Sequence, residues 1–309
     1  MRLSAILFGL VLTCAAFAVA VPPPQDDDDV RGAFLTTRPK DKPASSSSAA
    51  RPPRKRPRPS ATPSKSPENP GGSTTSKGST GSTGSKGPGT TAKTPDSKPV
   101  NAARLGLGLT LFSRDSNGLA VRVDPDRVFR KGDRVRILLE TNTDGYLYIF
   151  NRTNDGPPVM IYPDAEIDEG GNYLQAHVPF EIPAADASDE RLRWFAFDEN
   201  TGTEKVFFVF TREPLKDVPI EDDLVTFCRN GKCPWPVGTE AWDYVQAQLQ
   251  NPLKTDRSAD AASGAQTAAE HDASTRGLGL AKDDPQPSLI MMASSNKPTL
   301  VATLDLIHK

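Results

Sequence analysis

The sequence predicts an all-β fold: an antiparallel β-sandwich of Ig-like or jelly-roll-like kind with one short helix, preceded by a long disordered linker. Three observations predict it. From Arg104 onward, apolar residues recur with a period of two in short runs. The runs are separated by the turn clusters SNG, KGD, TDG, NDGPP, EGGN and ENTGT, as in sandwiches and barrels. Before Arg104 there is no such periodicity, and with 36% hydrophobic residues, 29 Pro and 23 Gly the chain has material for one core rather than two.

Residues 1–20, MRLSAILFGLVLTCAAFAVA, carry one positive charge, an apolar stretch and the small-residue pattern Ala18-Val19-Ala20 before VPPP. This reads as a signal peptide cleaved after Ala20. An uncleaved anchor is disfavoured by the helix-breaking VPPP. Lipid attachment at Cys14 is disfavoured by Thr13, a poor fit to the residue expected there. The mature chain is thus expected to be exported, to a periplasm, an outer envelope or the medium, with no further transmembrane span.

Residues 21–103 read as a disordered Pro/Ser/Thr/Gly-rich basic linker, because they lack the apolar surface to offset their ordering entropy. RPPRKRPRPSATPSKSP favours extended polyproline II, and GGSTTSKGSTGSTGSKGPGTTAK is a flexible spacer. Residues 31–104 hold 15 Lys+Arg against 3 Asp+Glu, a formal +12, whereas 105–309 hold 21 against 32, a formal −11. Arg51, Arg54, Lys55, Arg56 and Arg58 are candidates for binding a polyanion, or the acidic body of the same chain. No aromatic residue is interleaved with them, which argues against specific nucleic-acid recognition. The adjacent acids Asp26 to Asp29 read as solvated.

The sandwich domain is expected over 104–309, with strands in LGLTLFSRD, LAVRV, RVRILLE, GYLYIFN, PVMIYP, LQAHVPFEIP, RLRWFAFD and KVFFVFTRE. GYLYIFN and KVFFVFTRE are apolar on both faces and read as central. RVRILLE sets Val135, Ile137 and Leu139 against Arg134, Arg136, Leu138 and Glu140, as in a strand buried on one side. With TDGYLYIF it reads as a hairpin hinged at TDG. Tyr146, Tyr148, Tyr162, Tyr173, Trp194 and Phe207 are expected mostly in the core. Any left exposed, with Tyr146 and Tyr148 the candidates, would form an aromatic binding patch.

Beyond these strands, CRNGKC reads as a hairpin in which Asn230-Gly231 forms a type I′ turn and Cys228 and Cys233 form a disulfide. A redox pair would rather be spaced C-x-x-C, and no neighbouring histidine completes a zinc site. Thr239 can cap a helix carrying Trp242, Val245 and Leu249, so that 228–251 holds the cysteine hairpin and the short helix. Residues 254–274 are polar and read as a mobile loop. SLIMMA and TLVATLDLIH read as a C-terminal strand hairpin over 288–308.

The stretch FRKGDRVRILLETNTDGYLYIFNRTNDGPPVMIYPDAE resembles a bacterial family known as domain of unknown function 4384. Its marks are F-x-x-GD-x-V leading into a strand, DGYLY-x-F, and a following strand ending in YP. The resemblance continues through VPFEIP and LRWFAFDENTGTEKVFFVFTREPL, covering 105–215. It implies a small β-sandwich found on exported or envelope proteins, and it carries over no catalytic residue.

Recognisable catalysis is missing. The chain has no G-x-S-x-G elbow. The linker's GSTGSTGSKG has Ser85 where a phosphate loop needs glycine before Lys86. His177, His271 and His308 read as surface or edge residues. The weak candidate metal ligands are Asp164, Glu166 and Asp168, but Glu169 and Gln175 break the EF-hand template, leaving a solvated acidic loop as the preferred reading. No cofactor is expected. The sequence therefore points to an exported non-enzymatic interaction or accessory module of a bacterial cell envelope, whose partner is an envelope protein or an anionic polymer. The alternatives are an envelope enzyme or sensor component using Glu181, Asp186, Asp189 and Glu190, or a structural spacer.

Overall fold

The computed structural model describes residues 29–41, 104–163, 171–216 and 240–309, and only 218, 219, 223, 226 and 230 between 216 and 240. The described chain begins with helix α1 (Val30–Leu35). The strands that follow are β1 (Gly106–Arg114), β2 (Ala120–Arg122), β3 (Val128–Phe129), β4 (Arg134–Thr141), β5 (Gly145–Thr153), β6 (Val159–Tyr162), β7 (Tyr173–Leu174), β8 (Phe180–Ile182), β9 (Phe195–Ala196) and β10 (Gly202–Thr211). Then come α2 (Glu240–Gln248), β11 (Leu253–Arg257), α3 (Ala268–Arg276), β12 (Leu289–Ala293) and β13 (Thr299–His308).

The strands form two sheets, as in a β-sandwich. One has the order β11-β12-β1-β4-β8, with β2 on β1 and β9 on β4; the other runs β3-β13-β10-β5-β6, with β7 on β5. All pairings are antiparallel except that of β13 with β3. The period-two alternation builds the core directly. Leu107, Leu109 and Leu111 of β1 and Val135, Ile137 and Leu139 of β4 meet Leu147 and Ile149 of β5, Phe208 and Phe210 of β10, and Leu300, Ala302 and Leu304 of β13. As expected, β5 and β10 are central and apolar on both faces. Their second faces carry Tyr146, Tyr148, Phe150, Phe207 and Val209, covered by Val245 and Trp242 of α2.

The expected hairpin at TDG is a corner between sheets: β4 and β5 lie in opposite layers. β4 pairs with β1, β8 and β9 and β5 with β10, β6 and β7, so the inward residues of the two strands meet across the core instead of side by side. Asn142 fixes the corner by accepting from Gly106 N at 2.7 Å and donating to Arg104 O at 2.9 Å. At Gly145 an added Cβ would lie 2.5 Å from the Thr211 carbonyl oxygen, so the close approach to β10 requires glycine. The expected C-terminal hairpin is divided in the same way, β12 pairing with β1 and β11 and β13 with β10.

Two further segments depart from expectation. Residues 254–274, read as a mobile loop, contain most of β11 and the start of α3, which has a Thr267–Glu270 capping box and ends at left-handed Gly277, φ 66°.

Residues 29–41, read as part of the spacer, are a docked strap. Asp29, last of the four acids, caps α1 by accepting from Gly32 N at 2.7 Å. Phe34 is fully buried beside Ile290 and Met292. It fits there because β1 has Gly106 and Gly108 on its outer face, where an added Cβ would lie 2.9 Å and 3.2 Å from the Phe34 ring. The expected spacer is therefore tied to the domain at both ends, at the strap and at β1. The basic run Arg51 to Arg58 itself lies outside the described residues, as do residues 1–20.

A single cut between 42 and 103 should leave the N-terminal piece bound to the sandwich through gel filtration. With Phe34→Ala, whose cavity costs about 3 kcal/mol, the same cut should release it; release from the unmodified chain would contradict the docked strap.

Candidate ligand-binding cleft

The core that unites the two sheets does not close at one end. Along β5 the inward residues run Leu147, Ile149, then Asn151 and Thr153. Along β10 they run Phe210, Phe208, Val206, then Glu204, and along β13 Leu304, Leu306, then His308. The registers bring these changes together, Glu204 lying opposite Thr153 on one side and Leu306 on the other. The result is a cleft of about 390 Å³. Val135, Ile137, Ile182 and Phe195 wall it from one sheet, and Ile149, Ile161, Val206 and Leu306 from the other.

Its polar end is held in place by hydrogen bonds. Asn151 Nδ2 and Thr153 Oγ1 each donate to Glu204 Oε2 at 2.8 Å. That donation orients the Asn151 amide, and its Oδ1 is buried without a hydrogen-bond partner. Asp198 stands at the rim with Asn200, whose backbone and side-chain N–H groups both donate to it at 2.7 Å and hold its carboxyl below the usual range. His308, expected near the surface, is buried against Phe197, with ring centroids 5.1 Å apart. An apolar concavity with a few convergent polar groups is the usual form of a small-molecule site.

A second polar cluster lies on the outer face of the first sheet, under the strap and α3. Arg38 donates from Nε and Nη2 to the two oxygens of Glu140, at 2.8 and 2.7 Å. Its remaining N–H groups reach the carbonyl oxygens of Ala281, Asp284 and Pro285, so every guanidinium donor has an acceptor. His177, also expected at the surface, is buried with Nδ1 2.7 Å from Glu140 Oε1 and Nε2 2.8 Å from Thr37 Oγ1. Its backbone is left-handed, φ 57°, a conformation sustained only where surroundings fix it. Beside this triad Arg136 Nε lies 2.7 Å from Glu181 Oε1, and Arg122 pairs with Glu270 of α3. Arg38 of the strap answers Glu140 and Glu270 of α3 answers Arg122, so these two pairs clamp the strap and α3 to the sheet, while Arg136 and Glu181 answer each other within it.

Burial raises the pKa of Glu140, but its bonds to His177 and Arg38 and the charge of Arg38 outweigh that and leave it depressed. For Glu181 burial prevails over Arg136, Ser274 and Gln266, and its carboxyl is pushed up.

The other residues singled out by sequence are placed as follows. Tyr146 and Tyr148 are buried under α2, and Tyr148 OH accepts from Leu215 N at 2.7 Å, so they form no surface patch. Glu181, Asp186, Asp189 and Glu190 do not converge: Glu181 pairs with Arg136, Asp189 pairs with Arg191, Glu190 pairs with Arg114, and Asp186 is exposed. Cys228, Cys233, Asp164, Glu166 and Asp168 lie outside the described residues. Among the described residues no group of three or more His, Cys, Asp or Glu is placed to hold a metal, and no helix is long and apolar enough to cross a membrane. Sequence reading missed Asn151, Thr153, Glu204 and His308. Their signal was the loss of apolar character at inward positions of otherwise apolar strands.

One comparison matches a segment of the chain. Residues 128–214 match the domain of unknown function described as DUF4384. The DUF4384 segment runs from β3 through β10 and includes Asn151, Thr153 and Glu204 of the cleft. It is shorter than the 105–215 suggested by sequence resemblance. β1, β12 and β13, which complete both sheets, and the strap all lie outside it. No curated protein and no solved structure matches the chain.

Because the folded-state pKa of Glu140 is depressed, its stabilisation is present above the ordinary glutamate range, near pH 4.3, and is lost as pH falls through the folded value. Protease protection of 29–41 should therefore weaken below about pH 4. Glu140→Gln, which leaves Arg38 buried without its counter-charge, should cost roughly 3 kcal/mol at pH 7 and flatten that response. Glu181→Gln should cost less, since the environment already disfavours that charge. Equal costs would contradict the assignment of the two carboxylates.

Proposed function

We propose that the chain is an exported, non-enzymatic binding module that takes a ligand or a side chain of a partner into the cleft between its sheets. The observation that carries this reading is the cleft, where apolar walls from both sheets lead to the hydrogen-bonded group Asn151, Thr153 and Glu204. Half-buried Ile161 and Phe195 pack against the core from the cleft walls, leaving apolar surface for a ligand to cover. The non-enzymatic part is supported by the scatter of the four acids that an enzyme reading would need. Export is supported by the reading of residues 1–20 as a cleaved signal.

The basic run Arg51 to Arg58 supplies a second contact in this proposal, to an anionic envelope polymer. Because the strap returns the chain to the domain before the run begins, such a contact would be made by a loop anchored next to the sandwich, and no free tether would separate the two.

The test is saturable binding of a neutral, polarity-sensitive fluorophore to the intact chain. Ile161→Trp, which fills the cleft from a half-buried wall position, should weaken binding at least tenfold with little change in melting temperature. No saturable binding, or binding indifferent to the substitution, would overturn the reading.

A further inference from the structure

Apart from the His308 ring, the groups at the cleft's polar end that are not already donating are acceptors, and this bears on what fits it. Both donors that reach Glu204, Asn151 Nδ2 and Thr153 Oγ1, bond the same oxygen, Oε2. Oε1 has no partner among the described residues. Asn151 Oδ1, on the neighbouring strand, is buried without a donor. A buried acceptor left unmet is costly, and Asn151 is one of the residues lining the cleft. Asp198 adds a second negative charge at the rim, and neither lysine nor arginine lines the cleft.

We propose that the cleft binds a primary ammonium carried on a short unbranched apolar stem. This rests on the reading of the cleft as a binding site and adds the chemical class. An ammonium has three N–H donors and no acceptor. It can bond Glu204 Oε1 and Asn151 Oδ1 together, and its charge is answered by Glu204 and Asp198. A carboxylate or phosphate would meet the two acceptors and the negative charges of Glu204 and Asp198, with only the His308 ring to set against them. A hydroxyl has one donor and leaves one of the two acceptors unmet. The stem lies between the walls of the two sheets, where each added methylene strengthens binding about fourfold until the space is filled.

A free alkylamine and a lysine side chain share this chemistry. Calorimetric titration of the intact chain with n-hexylammonium, n-hexanol, hexanoate and Nα-acetyl-lysine methylamide separates the cases. Hexylammonium should bind at least tenfold more tightly than hexanol, and hexanoate should not bind. Glu204→Gln should remove the preference, so that hexylammonium and hexanol bind that variant about equally. Lysine amide binding as well as hexylammonium would identify a protein lysine as the ligand; weaker binding would identify a free amine. Equal affinity for hexylammonium and hexanol in the unmodified chain would overturn the ammonium class while leaving the cleft a binding site, and this comparison needs no variant to fold. If none of the probes binds and the neutral fluorophore does not either, the binding-site reading itself is wrong.

Discussion

The structure depends on one constraint: the inward residues of two sheets must bury one another, and period-two alternation decides strand by strand what each contributes. Where β1, β4, β5, β10 and β13 all offer Leu, Ile, Val or Phe, the sheets close. Where three adjacent strands offer Asn151 and Thr153, Glu204 and His308, an apolar seal is not available. Both the core and the cleft follow from the same alternation. The difference between them is a change of side-chain chemistry at matched register positions.

The outer faces follow a related rule. Sheet faces with large apolar side chains need a cover, and faces with buried charges need compensating partners. β5 and β10 present Tyr146, Tyr148 and Phe207, which α2 covers with Val245 and Trp242. β2, β4 and β8 present Arg122, Arg136, Glu140 and Glu181, which are met by Arg38 of the strap and by Glu270, Gln266 and Ser274 in and before α3. Buried ion pairs seldom add much net stability, yet removing one partner is expensive. Their effect here is to fix which segments cover that face. The Arg136–Glu181 pair lies wholly within the DUF4384 segment, but Arg38, which pairs with Glu140, and both members of the Arg122–Glu270 pair lie outside it, so the matched segment is bound to its additions through buried charges.

Much of this was legible in the sequence. The alternation in GYLYIFN and KVFFVFTRE identified the central strands, and Val135, Ile137 and Leu139 were assigned to the correct face. What was not legible depended on residues far apart in the chain. Arg136 and Glu140 looked solvent-facing because the charges that bury them, Glu181 and Arg38, are not local. The strap looked like spacer because VRGAFL offers little beyond Val30 and Phe34 to bury, and the glycines that receive Phe34 are in β1. Turn chemistry at TDG identified a reversal but not whether it joined neighbours in one sheet or crossed between two. Cleft residues were readable in principle, since continuing the inward positions past Ile149, Val206 and Leu306 reaches Asn151, Glu204 and His308. Seeing that these meet required the strand registers.

The central claim is that the inward polar residues keep the cleft open for a ligand at the expense of a closed core. It is tested most directly by the melting temperature of a chain carrying Asn151→Leu, Thr153→Val and Glu204→Leu together. If the polar group serves binding, apolar replacements can extend the core, and the variant should melt at a higher temperature while losing hexylammonium binding, as expected where function is maintained at a cost in stability. A variant that melts several degrees lower would show that the polar group is a structural element of the sandwich, contradicting the account.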